Sequence, residues 1–332
     1  MIGSDRCNHP ISTVFIGGGT PSVLNPQQMS RIMTIVKDNF TLEEDTEITI
    51  ECNPGTLDEE KLSAYRDCGI NRISLGLQST EDDELKSLGR IHTYEEFLKS
   101  YGYVVKAGFT NINVDLMSGI PGQTLESLER SLKRVCELDP APVHISAYSL
   151  IVEEETPFGE MAKDGKLTVP DEDMDREMYH MTSRLLSKYG YDRYEISNYS
   201  KPGYECLHNL GYWTGAEYYG AGLDASSYVN HSRLVNTSDF YAYIKNPVDG
   251  PYLIESLSEN DLMSEYMILR LRLIKGVSKN EFKNRFSKDL SEVYGKEIER
   301  FKNLELLQES GDSIFLTKRG LDLANQVMQA FI

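Results

Sequence analysis

The chain has 332 residues, 40% of them hydrophobic, with 34 basic against 52 acidic side chains, a net charge of −18 and a pI near 4.8. That length buries one large core plus a smaller appendage, and the acidic balance argues against a general nucleic-acid or anionic-membrane surface. No apolar run reaches bilayer-spanning length, residues 1–6 lack the apolar core of a signal peptide, and five dispersed cysteines (Cys7, Cys52, Cys68, Cys136, Cys206) fit a reducing cytosol better than a disulfide framework.

Short Val-, Ile- and Leu-rich runs at 13–16, 47–51, 72–76, 111–116 and 143–150 read as strands, each followed by a turn and a helical pattern. Helix starts are marked by chemistry. Asn25-Pro26 places a cap before a proline, ahead of Met29, Ile32, Met33 and Val36. Thr56-Leu57-Asp58-Glu59 has capping-box spacing, and Thr124 opens an amphipathic stretch through Leu128, Leu132 and Val135. Such spacing suits parallel βα units, and hence an α/β barrel or doubly wound sheet. Beyond residue 150, a helix is expected over 171–189, opened by acids that complement its dipole. From 191 to 243 the chain is rich in Tyr, Gly, Ser and Asn and reads as irregular strands and loops. Ser258 then caps an apolar helix through Leu262, Tyr266, Leu269 and Leu273. Helices at 279–286 and 293–304, a hairpin over 306–317 and a final helix over 321–331 complete a winged-helix-like pattern.

Polar groups stand where the five strands end: Gly17-Gly18-Gly19, Glu51, Gln78, Asp115 and Tyr148-Ser149. In parallel α/β folds the loops after the strands' C-terminal ends build the ligand site. Three successive glycines remove three β-carbons and let a ligand approach backbone amides, although a bare triple glycine is equally a tight turn. Glu51 can accept hydrogen bonds from a bound cation or ribose, or cap the following loop. Gln78 offers an amide, and Arg90 a bidentate partner for a carboxylate if it is not simply a solvated helix-end arginine. Asp115, an acid inside a strand, needs a partner, for which a ribose hydroxyl is one candidate.

These blocks resemble the oxygen-independent coproporphyrinogen III oxidase-like family of radical S-adenosylmethionine (SAM) proteins. The resemblance runs almost end to end, through FIGGGTPS (15–22), IECNPGT (50–56), RISLGLQS (72–79), VDLMSGIPGQT (114–124), ISAYSL (145–150), EETPF (154–158) and CLHNLGYW (206–213). It is closest to the shorter, heme-chaperone branch. It implies an incomplete parallel α/β barrel of radical SAM type over 1–190, a strand and loop extension over 191–250 completing the barrel side, and a small helical, winged-helix-like module over 251–332. It implies SAM contacts at Gly18, Gly19, Thr20, Glu51, Gln78, Arg90 and Asp115. Heme binding and delivery to hemoproteins in the cytoplasm follow as the function, with heme as cargo and recipient hemoproteins, or a second copy of the chain, as partners. The alternatives are an oxygen-independent coproporphyrinogen III dehydrogenase and a non-catalytic scaffold.

Two departures qualify the resemblance. Family members carry CxxxCxxC, whose thiolates bind a [4Fe–4S] cluster, upstream of the glycine-rich motif, whereas here Cys7 stands alone. The expectation is a chain that keeps the SAM pocket without cluster ligands or SAM cleavage, with an exposed sheet edge where a first strand would lie. Asp224 stands where the family usually has glycine, in a turn that needs positive φ. His208, beside Tyr212-Trp213, is the candidate heme ligand, weighed against a hydrogen-bonded structural histidine, with Cys206 behind it.

Overall fold

Five strands of one sheet run parallel because each is returned by a helix packed on its outer face. The computed structural model describes residues 10–246 and 252–332, so Cys7 lies outside the described residues. β1 (Ile11–Ile16), β2 (Leu42–Cys52), β3 (Arg72–Gln78), β4 (Asn111–Ser118) and β5 (His144–Ser149) pair in sequence order, and the two short antiparallel strands β6 (Asp192–Arg193) and β7 (Asn198–Ser200) follow in the order β5-β7-β6. The sheet is open, with β1 at one edge and β6 at the other among the described residues, the partial barrel that the family resemblance implies. It belongs to a compact unit that ends at His208, and Asn209–Ile332 belong to a second.

Period-two alternation sorts the strand residues. On β3 and β4, Ile73, Leu75, Ile112 and Val114 are fully or almost fully buried against the helices, with Met33, Leu62, Phe97 and Leu132 in the same core. The intervening positions, Glu47, Thr49, Arg72, Ser74, Asn113, Asp115 and His144, are polar, and side-chain bonds link several of them across the opposite, concave face. A parallel sheet with helices on one face and a polar interior on the other positions the site.

The helix starts follow the sequence with one correction. Asn25 and Thr124 form capping boxes with Gln28 and Ser127. Asp58, not Thr56, caps helix Glu59–Asp67. Thr56 is drawn away because its hydroxyl bonds Ser22 Oγ at 2.6 Å and Asn53 O at 2.7 Å, which fastens two strand-end loops together.

In the second unit, β8 (Ser226–Val229) and β9 (Ser232–Val235), inside the stretch expected to form irregular strands, join β10 (Tyr252–Ser256) in an antiparallel sheet. Asp224 adopts φ 58°, so the turn survives its substitution for glycine. Helices Glu259–Leu271, Lys279–Phe286 and Leu290–Asn303 surround a second sheet, β11 (Val277–Ser278), β13 (Ser313–Leu316) and β12 (Leu307–Ser310), the winged-helix-like arrangement expected. Its core is aromatic: Phe282 lies 5.5 Å from Tyr266 and 4.8 Å from Phe286, and Tyr294 lies 5.4 Å from Phe331, centroid to centroid. The final helix breaks into Lys318–Asp322 and Ala324–Gln329, because Leu323 leaves helical geometry at φ −114°. Among the described residues, no helix is long and apolar enough to cross a membrane.

Gly276 pins this unit. It holds φ +71°, and a β-carbon there would fall 2.1 Å from the Ile314 carbonyl oxygen. Gly276→Ala should cost about 3 kcal/mol or more through clash and backbone strain combined, read as a lowered urea midpoint in the unfolding of the full chain.

Candidate functional site

The glycine-rich turn is an exposed amide cradle. Gly18 and Gly19 take φ values of +82° and +62°, and a β-carbon on either would meet nothing within 4 Å. The space where side chains would stand on those two glycines is therefore open to a ligand. Gly17 is needed for a different reason: its β-carbon would sit 2.8 Å from the Phe15 ring and 3.0 Å from Glu51 Oε2. That proximity lets the Gly18 N–H donate to Glu51 Oε2 at 3.2 Å, so the first two strand ends are joined.

Asn53 ties the next pieces. Its backbone N–H donates to Ser22 Oγ at 3.1 Å and its side-chain amide to Thr20 Oγ1 at 3.2 Å, while its Oδ1 accepts a long, 3.5 Å contact from Arg90 Nη1. Gln78 is buried at φ 73°, in the left-handed region that few side chains occupy, just past a register shift between Gly76 and Gln78. The bulge aims its amide inward, where Oε1 accepts from Tyr148 OH at 3.0 Å. Gly76 makes room, since a β-carbon there would lie 3.2 Å from Gln78 Nε2 and 3.4 Å from Asn53 Oδ1.

Asp115 finds its partners inside the protein. Asn113 Nδ2 donates to Oδ1 at 2.7 Å and Ser74 Oγ to Oδ2 at 3.2 Å. Asn113 in turn accepts from His144 Nδ1, 2.6 Å away, whose Nε2 meets Tyr194 OH at 2.9 Å. Burial raises the Asp115 carboxyl above the ordinary carboxylate range, opposed by Asn113 and the Arg72 charge among others. Burial likewise raises Glu51; the Gly18 amide opposes this and the Asp115 charge adds to it. Tyr148 is pushed up to about 12, chiefly by burial and then by the Asp115 charge, with Arg90 and Glu51 also felt. Six predicted residues (Gly18, Thr20, Glu51, Gln78, Arg90, Asp115) thus form one cluster with the adjoining Gly19. Asn53 and Tyr148 join its members.

His208 stands apart from that cluster. Its Nδ1 lies 2.9 Å from Thr13 Oγ1, its ring stacks on Phe15 at 4.9 Å, and its N–H donates to Glu47 Oε1 at 3.1 Å. Burial lowers its pKa, so the imidazole is neutral near neutral pH. Cys206 is fully buried, with Sγ 3.5 Å from Glu47 Oε1. Glu47 was not singled out in the sequence, because nothing local marks an acid early in a strand as the anchor for a loop some 160 residues away.

The residues fit SAM as a donor set: open amides from the glycine turn, two acids suited to an amino group, ribose or sulfonium, and Arg90 for a carboxylate. Burial pushes the Cys136 thiol up to about 12 and Cys52 higher still. Among the described residues, no three His, Cys, Asp or Glu side chains form a metal-binding group.

The Radical SAM superfamily model matches residues 4–135 and the HemN C-terminal domain model residues 257–323. The solved coproporphyrinogen III oxidase HemN of Escherichia coli, described as a radical SAM enzyme, superposes with a TM-score of 0.81 at 22% identity, covering 96% of this chain and 77% of that one. Fold and motif thus define a radical SAM protein. The heme chaperone HemW of Lactococcus lactis subsp. lactis (strain IL1403) is 38% identical over 97% of this chain and 85% of its own length. HemW of Bacillus subtilis (strain 168) is 35% identical, over 97% and 86%, and that of Escherichia coli (strain K12) 33%, over 97% and 84%. The chain belongs to the HemW family of radical SAM proteins.

The Glu51–Asp115 pair has a pH signature. Both folded carboxyls lie above their unfolded values, so the native state holds extra protons, and their contribution to stability declines as pH rises past the unfolded values. Glu51→Gln should therefore gain thermal stability over wild type, with the gain growing from acid to neutral pH; a pH series of calorimetric midpoints measures it.

Proposed function

We propose that this chain is a heme chaperone of the HemW type, which binds heme, delivers it to hemoproteins in the cytoplasm, and holds SAM at the C-terminal mouth of its sheet. The observation that carries the SAM half is the convergence of Gly18, Thr20, Glu51, Gln78, Arg90 and Asp115 on one patch through Asn53 and Tyr148. Membership of the HemW family carries the heme half.

Each residue has a task in this reading. Gly18 and Gly19 present backbone to the ligand's polar end, and Thr20 is oriented by Asn53. Arg90 pairs with the methionyl carboxylate, while Glu51 and Asp115 hold amino and ribose groups. SAM, when bound, supplies a sulfonium cation that offsets the repulsion between those acids.

His208 is the proposed axial ligand of heme. Thr13 at Nδ1 and Phe15 on the ring face fix the imidazole plane, as the outer partners of ligating histidines commonly do.

Two titrations test the reading. Calorimetry should detect SAM binding that strengthens from acid toward neutral pH, and Asp115→Asn should weaken it about tenfold, or ~1.4 kcal/mol. Heme should bind with a shifted Soret band, and His208→Ala should remove the axial-ligand signature. A wild-type chain that leaves the heme spectrum unchanged would rule out the chaperone role.

A further inference from the structure

The polar interior contains a buried cation that makes no ion pair among the described residues. Arg72, the first residue of β3, is 2% exposed. Its Nε has no hydrogen-bond partner, and the guanidinium forms no ion pair among the described residues. Directly across the register on β2 stands Thr49, fully buried, whose Oγ1 is also unpartnered. Two neighbouring inward donors are thus left without an acceptor, although buried polar groups are nearly always paired and buried charges nearly always balanced.

The surroundings do not supply the missing anion. Glu47, on the same strand as Thr49, spends its oxygens on the amides of Leu207 and His208 and on the Cys206 thiol. Asp115 is bonded by Asn113 and Ser74. The remaining groups that feel the guanidinium are His144, Tyr194 and His208, and each is a neutral ring near neutral pH: burial and the Arg72 charge push His144 well below its usual range, His208 is lowered, and Tyr194 is raised. An arginine can neither lose its proton nor accept a hydrogen bond, so only an external acceptor completes the set.

We propose that Arg72 and Thr49, facing neighbours on the concave side of β2 and β3, seat one carboxylate of a bound ligand. A guanidinium fork with an adjacent hydroxyl matches the planar two-oxygen head of a carboxylate. The inference rests on the heme-chaperone reading for its principal ligand, since heme carries two propionates. A small free carboxylate presents the same chemistry.

The full chain would be titrated with heme, with heme dimethyl ester, whose propionates are masked, and with acetate. Wild type should bind heme at least tenfold more tightly than the ester. Arg72→Met should lower heme affinity to that of the ester and leave ester binding unchanged, while Arg72→Lys should keep part of the preference. Acetate that raises the unfolding midpoint of wild type but not of Arg72→Met would assign the seat to small carboxylates as well; discrimination between heme and ester without an acetate effect would assign it to the propionate. Equal wild-type affinity for heme and ester with no acetate effect, or a preference for heme that persists in Arg72→Met, overturns the proposal. Should Arg72→Met not fold, the wild-type ratio and Arg72→Lys decide. Heme that fails to bind wild type removes the chaperone reading instead, and the acetate arm alone then judges this seat.

Discussion

The side chain of Asn53 is the joint on which the mouth of the sheet depends. It lies just past the end of β2, donates to Thr20 at the end of β1, accepts from Arg90 beyond β3, and its backbone N–H holds Ser22. A single amide with a donor and an acceptor end can serve three strand tips because parallel pairing brings those tips to one edge. Remove its partners' freedom to approach, by placing a β-carbon at Gly76 for instance, and the joint is crowded from below. The glycines here are therefore of two kinds. Gly18 and Gly19 leave room for a ligand, whereas Gly17 and Gly76 leave room for the protein's own acid and amide.

The concave face explains why the site needs such support. A parallel sheet normally buries apolar residues on both faces. This one covers its outer face with helices and lines the inner face with Glu47, Thr49, Arg72, Ser74, Asn113, Asp115 and His144. Burying ionisable groups costs free energy unless hydrogen bonds or opposite charges compensate. Most of the lining is compensated: Asn113 alone contacts His144, Ser146, Ser74 and Asp115. Saturation of that kind fixes rotamers and gives a ligand a rigid wall. Saturation fails at Arg72 Nε and Thr49 Oγ1, among others.

The second unit is held differently. Its winged-helix-like core closes on Tyr266, Phe282, Phe286, Tyr294 and Phe331, and Arg270 lies over Tyr266, 4.7 Å from the ring centroid, while pairing with Glu281. Aromatic packing of this density suits a small body that lacks the area of a full sheet. A β-carbon at Gly276 would fall 2.1 Å from the Ile314 carbonyl oxygen and one at Gly320 1.9 Å from that of Leu306, so close backbone approach requires glycine at both positions.

What the sequence determined by itself was whatever depends on neighbours in the chain. Apolar runs and caps located five parallel strands and their helices, and the glycine triplet with the polar strand ends marked one edge as the site, because side-chain period, capping and glycine freedom are local properties. Only the tertiary structure decided the rest. It moved the cap from Thr56 to Asp58, since Thr56 is claimed by Ser22. It made β7 from Asn198-Tyr199-Ser200, whose pairing with β5 no local pattern specifies. It turned Gln78 inward through a bulge, bound His208 to Thr13 across 195 residues, and left Arg72 facing neutral rings. Those outcomes follow from strand register and from which distant side chains share a face, and such quantities have no signature in any short stretch of chain.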